Sequence, residues 1–519
     1  MTLPEKHFRE TETLLRKVDK KKIGQWLLEQ GFYPEQYVIP PSFRVETFDL
    51  LPDPFFPVKS ETDISGKIKY KFEPEKSELI TVSFPKTQLT DRTFGIINPK
   101  IYHDIVWYLL NDWNTVLNHL FHAHLKIYSY SLPIPVNSQN IGELGELRAG
   151  RMIYEFLEMV ESDLVAEGHK YKFLLKTDIK NFYPSVYTHS IAWALHTKKT
   201  IRTSGNRDNF LKFLGLQLDK LFQYANDGCT NGIPIGPAVS DLISEIILAA
   251  VDKECSNELN GVDFIGVRFK DDYRFLCNSK QDAQKIIKTL QTQLRNFNLF
   301  LNEGKSEIRE LPEGLFRQWT SEFQKYSLKY KRKIGYKRFT NSLLATLKID
   351  QAFPDTGVID RFLSELTTKK YNLKLKIEGK DTLKVISLLL LLKQRRTKSF
   401  PQVLAIIEKI IEKNKNDTTV LTNINTSIKV MLHEKWDNEF ENQYDLIWLI
   451  YFVKSLNLFE INYPRKINSP LIKSLKKNST EFYKPIPTGL KIYQTIKKPG
   501  KNLPLLEHLA IFKMTDPSV

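Results

Sequence analysis

Apolar residues recur at three- and four-residue steps between Leu14 and Leu28, a spacing that predicts a short helix. Pro40, Pro41, Pro52, Pro54 and Pro57 then break any regular period and predict extended chain. From Pro99 to about Leu125 the helical spacing returns through Ile101, Ile105, Val106, Leu109, Trp113, Val116, Leu117 and Leu120. Strand and helix patterns alternate from there to about Ile308. Beyond Asp355 the periodicity is helical only, as in Val403, Leu404, Ile406, Ile407, Ile410 and Ile411. The chain thus changes class near residue 345, from mixed α/β to all-α, with no internal repeat of constant period.

Composition narrows the partners. A chain of 519 residues that is 41% apolar and 12% aromatic has the material for several packed cores, which argues against disorder. Lys and Arg number 76 against 60 Asp and Glu, and the net charge of +16 puts nucleic acid or an anionic surface first. Cys229, Cys255 and Cys277 are far apart and form no CxxC pair, which excludes a disulfide framework and a zinc ribbon and fits a reducing compartment. The longest apolar runs, Val385–Leu392 and Leu446–Val453, are eight residues each and too short for a bilayer. With the charged start LPEKHFRETE in place of a signal peptide, the expectation is a soluble, cytoplasmic chain with no membrane partner.

The chemistry lies in three segments of the middle third. Tyr171 to Asp178 reads as a short apolar strand ending in a carboxylate, followed by Phe182, Tyr183 and Pro184. Alone, Asp178 reads first as the N-cap of a helix opening near Pro184. The second segment, TNGIPIGP, is a loop whose Gly232 and Gly236 permit tight turns or close approach of a ligand. It leads into a helix with Val239, Leu242, Ile243, Ile246, Ile247, Ala250 and Val251 on one face, and Ser240, Ser244 and Glu245 off it. In the third, Ile265, Val267 and Phe269, then Tyr273, Phe275 and Cys277, alternate at period two on either side of Asp271-Asp272. The pair therefore sits at the tip of a hairpin, where two adjacent carboxylates repel unless they share a cation.

These parts suit a two-metal nucleotidyl transferase. Asp178 and Asp271 together would hold two Mg²⁺ ions about 3.5–4 Å apart, one activating a 3′-hydroxyl and the other holding the triphosphate. Mg²⁺ suits an all-oxygen site, with Mn²⁺ as the alternative.

The series TDIKNFYPSVYTHS, TNGIPIGPAVSD, RFKDDYRF and LFLNEGKSEI resembles the A, B, C and D motifs of the reverse transcriptase palm. YVIPPSF (38–44), FYPSVYTHSIAWALH (182–196) and GIPIGPAVSDLISE (232–245) are similar, more narrowly, to bacterial reverse transcriptases of the defence-associated, abortive-infection group. The resemblance implies an α+β fold, right-hand fingers and palm followed by an all-α helical-repeat domain. The corresponding divisions are 1–90 as an N-terminal fingers extension, 91–310 as fingers and palm, 311–345 as a basic connection and 346–519 as the C-terminal helices. It places Ile179 with Asp178, Asp271 and Asp272 in the metal set, and Gly232, Pro234 and Gly236 at the nucleotide. Tyr183, with Phe182 as the competing choice, would pack under the incoming sugar and exclude a ribose 2′-hydroxyl. Lys305 would protonate pyrophosphate, with a solvated helix-end lysine as the equal alternative. Arg148 and Arg151 would clamp the triphosphate. The box usually read as tyrosine-x-aspartate-aspartate is here Phe269-Lys270-Asp271-Asp272.

The resemblance further implies an anti-phage DNA polymerase taking deoxynucleoside triphosphates, a homo-oligomer, synthesis without a template, and a single-stranded DNA product joined to a protein tyrosine. The alternatives are a retron-like enzyme copying a dedicated non-coding RNA and an inactive nucleic-acid-binding scaffold. Intact Asp178, Asp271, Asp272 and Lys305 argue against the scaffold. Two further features are weaker. His119, His122 and His124 have no Cys or acidic neighbour and read as ordinary histidines, not a zinc site. The run Tyr326 to Phe339, rich in Lys, Arg and Tyr, is either a track for a nucleic-acid backbone or a solvated linker.

Overall fold

The computed structural model describes residues 1–510 except 63, 65, 67, 88, 89, 146, 147, 204–210, 355, 485, 486 and 488. The first helical pattern resolves into two helices, Leu3–Lys17 and Lys20–Glu29, because Asp19 caps the second through the Lys21 amide. Two hairpins follow, β1 (Lys59–Thr62) with β2 (Ile68–Lys71) and β3 (Ile80–Pro85) with β4 (Asp91–Ile96). A five-stranded sheet forms from β5 (Ile127–Ser129), β6 (Phe173–Asp178), β7 (Phe264–Phe269), β8 (Asp272–Cys277) and β9 (Glu307–Glu310), in the order β5-β7-β8-β6-β9. Only β5 and β7 run parallel; the other pairs are antiparallel.

Period-two alternation gives this sheet two buried faces. Leu174, Ile265, Val267 and Leu276 pack with Tyr130, Met159 and Leu164 on one side. Leu175, Phe264, Tyr273 and Phe275 join the main core on the other, against the helix Ala238–Glu258. That helix is buried almost all round, so its polar residues are inside as well as its apolar stripe. The expected helix at Pro184 is only the turn Phe182–Ser185, and the regular helix begins later, at His189–His196. Between them the chain is extended because the Val186 carbonyl accepts the Gly232 amide at 2.8 Å and Tyr187 pairs with Asn231.

The C-terminal third is helical, with two long apolar helices at Phe400–Lys413 and Gln443–Leu456. Its packing partner is the β3–β4 hairpin. Gln443 accepts the Ser83 amide at 3.0 Å and donates to the Thr81 carbonyl at 3.2 Å, while Tyr444 meets Phe84 with ring centroids 5.3 Å apart. The Tyr483 hydroxyl accepts the Ile80 amide at 3.0 Å, and the Gln494 amide reaches the Ser42 carbonyl at 2.7 Å. No helix among the described residues is long and apolar enough to cross a membrane.

One buried carboxyl in this third is out of balance. Burial pushes Glu408 up to about 7, with the Leu505 amide opposing. A carboxyl raised in the folded state contributes most below its unfolded value, and that contribution is lost as pH rises through 7. Glu408→Gln is therefore expected to raise the thermal midpoint at pH 8.5 and to have little effect at pH 5. The difference is on the order of 2–3 kcal/mol, readable from paired melting curves.

Candidate active site

Strand register brings the three aspartates together. Asp178 ends β6 directly opposite Asp272, the first residue of β8. Phe269 and Asp272 pair across the hairpin, so the connecting loop is only Lys270 and Asp271. Such a short loop needs a left-handed residue, and Lys270 supplies it at φ 53° despite its side chain. The Ile179 amide donates to the Asp271 carbonyl at 3.1 Å, tying the end of β6 to the tip. Asn302 closes the other side: its amide donates to the Asp178 carbonyl at 2.7 Å, and Lys305 Nζ lies 2.8 Å from Asp178 Oδ2.

The carboxylates oppose one another. Burial and the charge of Asp178 both push Asp271 above the ordinary carboxylate range, against weaker pulls from Lys270 and from Arg92 on β4. Asp272 is likewise raised by burial and by Asp178, with Arg274 at 3.5 Å the main counterweight. Among the described residues no three carboxylate, imidazole or thiolate groups converge to cage an ion by themselves. A divalent ion such as Mg²⁺ takes one or two carboxylates and completes its shell with water and substrate phosphates. The donors here are oxygen alone, and a shared cation would remove the repulsion that raises Asp271. Asp178 and Asp271 would hold it, with Asp272 and the Ile179 carbonyl adjacent.

Beside the cluster, Tyr183 donates its hydroxyl to Asp241. Asp241 also lies 3.3 Å from Lys270 Nζ and 3.9 Å from Arg148 Nη1. Burial would raise its carboxyl, but Lys270, Arg148 and the Tyr183 bond outweigh burial and hold it below the usual range. Phe182 packs edge-on against Tyr183 and is buried, while the Tyr183 ring sits at the boundary of the core. The loop that follows is clamped at both glycines. Gly232 has φ 85°, and Gly236, at φ 120°, leaves no room for a Cβ, which would lie 2.9 Å from Pro34 and 3.0 Å from Phe94. Pro234 packs against Gly95 of β4, where a Cβ would come within 2.9 Å.

The two arginines part company. Arg148 is buried and donates to the Gly236 carbonyl at 2.6 Å, while its Nε and Nη1 have no hydrogen-bond partner. Arg151, three residues along the helix Arg148–Leu157, turns instead to Glu155. His119 donates from Nε2 to the Ile246 carbonyl at 2.7 Å, and burial lowers its imidazole to about 4.

Residues 112–333 match the family model described as reverse transcriptase (RNA-dependent DNA polymerase), a span that holds every aspartate of the cluster together with Lys305. This segment is a reverse transcriptase domain. The match identifies the domain type of residues 112–333, and reverse transcriptase domains in general use divalent metal ions. No curated protein matches the chain. Among solved structures, the apo telomerase of Candida tropicalis is 12% identical over 76% of this chain and 77% of its own, with a TM-score of 0.31. The telomerase of Candida albicans, solved with the TWJ fragment of telomeric RNA, is 13% identical over 57% of this chain, with a TM-score of 0.23. The chain spans 52% of that second telomerase. At these TM-scores neither likeness carries a functional argument.

The reverse transcriptase domain uses residues that sequence reading passed over. On the helix Ala238–Glu258, Asp241, Glu245 and Asp252 stand at i, i+4 and i+11, one continuous acidic stripe. The stripe faces the hairpin's cations: Lys270 meets Asp241, and Arg268 meets the other two. Arg268 Nη1 and Nη2 contact Glu245 at 3.0 and 3.1 Å, and Nε contacts Asp252 at 2.9 Å. Arg268 also donates to the Lys270 carbonyl at 3.3 Å, and Ser131, which bonds Glu245, accepts the Lys270 amide at 2.7 Å. The available signal was the helical spacing of three acids among the apolar residues of the helix's first four turns. Glu245→Ala leaves Arg268 buried with one partner fewer, and the expected loss of stability is about 3–5 kcal/mol. A lower urea midpoint at unchanged slope would register it.

Proposed function

We propose that the chain is a Mg²⁺-dependent DNA polymerase of the anti-phage, abortive-infection kind, adding deoxynucleotides at Asp178 and Asp271. The observation that carries the reaction is the register that sets Asp178 opposite Asp272 with Asp271 at the tip, three carboxylates whose repulsion Lys305, Arg274 and Lys270 relieve only in part. Arg92 on β4 and Arg148, whose Nε and Nη1 make no hydrogen bond, are the cations proposed for a triphosphate. Lys305, 2.8 Å from Asp178, is positioned to protonate the departing pyrophosphate.

The proposed start of synthesis is a tyrosine of the protein itself, without a template and in a homo-oligomer. The docking of the C-terminal helices on the β3–β4 hairpin supports this, since a helical domain held there is not set to grip duplex product as a thumb.

Incubation of the purified chain with Mg²⁺ and radiolabelled deoxynucleotides tests both levels at once. Incorporation is expected from wild type and none from folded Asp271→Ala, whose metal ligand stabilises the transition state by several kcal/mol. Label that survives boiling in detergent and disappears with protease marks a protein-joined product. Free DNA that requires added RNA would favour the retron-like alternative, and incorporation by Asp271→Ala would overturn the polymerase reading.

A second outcome concerns sugar choice. The Tyr183 ring, pinned through Asp241, is proposed to lie where a 2′-hydroxyl would clash. Tyr183→Ala should raise ATP incorporation relative to dATP by about tenfold or more, the effect of removing a steric block worth ~1.4 kcal/mol. An unchanged ratio would move the gate elsewhere.

A further inference from the structure

From Lys325 to Ile349 the chain contains eight Lys or Arg and no Asp or Glu. In the loop joining the helices Gln318–Gln324 and Tyr336–Ala352, and at the start of the second helix, the side chains of Lys329, Lys331, Arg332, Lys333, Lys337 and Arg338 are exposed. None of the six is ion-paired with a carboxylate of the described residues. Tyr326 and Tyr330 stand among them at 46% and 86% exposure, with the Lys329 ammonium 5.4 Å from the Tyr330 ring centroid.

The loop's backbone is held from beneath. Leu328 and Ile334 are buried, and Lys374 Nζ donates to the carbonyls of Leu328 and Lys329, both at 3.1 Å. Glu365 accepts the Leu328 amide at 2.5 Å and the Ser327 hydroxyl at 2.8 Å. The Ile334 amide donates to the Lys374 carbonyl at 2.9 Å, and its carbonyl accepts the Lys376 amide at 2.9 Å. Cations and rings are thus presented outward on a fixed frame, so little ordering entropy is lost when they are engaged.

We infer that this loop is a binding track for single-stranded nucleic acid, outside the aspartate cluster. Crowded unpaired cations attract a phosphate backbone, and exposed rings four residues apart can stack on unpaired bases. A duplex hides its base faces and gives the rings nothing to stack on. An anionic bilayer would call for aliphatic side chains to insert, and the loop's own, Leu328 and Ile334, point into the core. The binding holds with or without polymerisation.

The test is fluorescence anisotropy of a labelled oligothymidylate, and of a duplex of equal length, on the full chain carrying Asp271→Ala so that no synthesis intervenes. Replacing Lys331, Arg332 and Lys333 together by Glu should weaken oligothymidylate binding at least about tenfold and flatten its salt dependence. Tyr330→Ala, at a side chain too exposed to affect folding, should weaken oligothymidylate binding about five- to tenfold and leave the duplex unchanged. Unchanged affinity in either variant, equal losses on the duplex with Tyr330→Ala, or loop-dependent binding seen only with phosphatidylserine vesicles would overturn the inference. Loop-dependent binding by a chain whose wild type incorporates no nucleotide would instead sink the polymerase proposal and leave the track standing.

Discussion

The buried guanidinium of Arg268 is the contact on which the site's geometry depends. A charge removed from water this completely costs several kcal/mol unless its hydrogen bonds are met. Glu245 and Asp252 meet it from one helix, and together they outweigh the burial that would lower its proton affinity. Arg268 is also bonded to the turn that carries Asp271, so the penalty for leaving it unpaired is what holds the tip of the hairpin in place. Asp252, pushed up to about 6 by burial, and the Tyr273 hydroxyl 2.9 Å from it complete the arrangement.

Above that floor the chain does the opposite and leaves charge unbalanced. Asp178, Asp271 and Asp272 face one another with only partial relief from Lys270, Arg92 and Arg274. The contrast is local and physical. Beneath the turn, Glu245 and Asp252 have a guanidinium at hydrogen-bond distance, whereas at its tip burial and the charge of Asp178 raise Asp271 and Asp272. Carboxylates arranged in this way gain most from a bound cation, the electrostatic condition that metal-assisted phosphoryl transfer requires.

The helical C-terminal third bears on the site through the β3–β4 hairpin. Gln443 and Tyr483 bond to the main chain of β3, and the same hairpin carries Arg92 and abuts Gly236 through Phe94. Hydrogen bonds to backbone fix the strand's position without regard to its side chains, so β4 and the glycine loop are braced between the palm and the C-terminal helices. The basic loop after β9 is braced similarly, by Lys374 and Glu365.

The sequence by itself determined the elements and the aspartates, because both follow from local order. Period-two alternation around Asp271-Asp272 requires a hairpin with those residues at its tip, and the apolar stripe after Pro237 requires a helix. Periodicity also showed the change to an all-α third. What it left undecided depends on residues far apart in the chain. The acidic stripe Asp241, Glu245 and Asp252 has meaning only once Arg268 and Lys270 lie across from it. Arg148 and Arg151 look alike in sequence, but only their surroundings send one to Gly236 and the other to Glu155. The place of the C-terminal helices was likewise invisible, since Gln443 meets Ser83 across 360 residues of chain, and no local pattern encodes which surface a buried helix will find. Periodicity tells which face of an element is buried, whereas its partner is chosen by the packing of the whole chain.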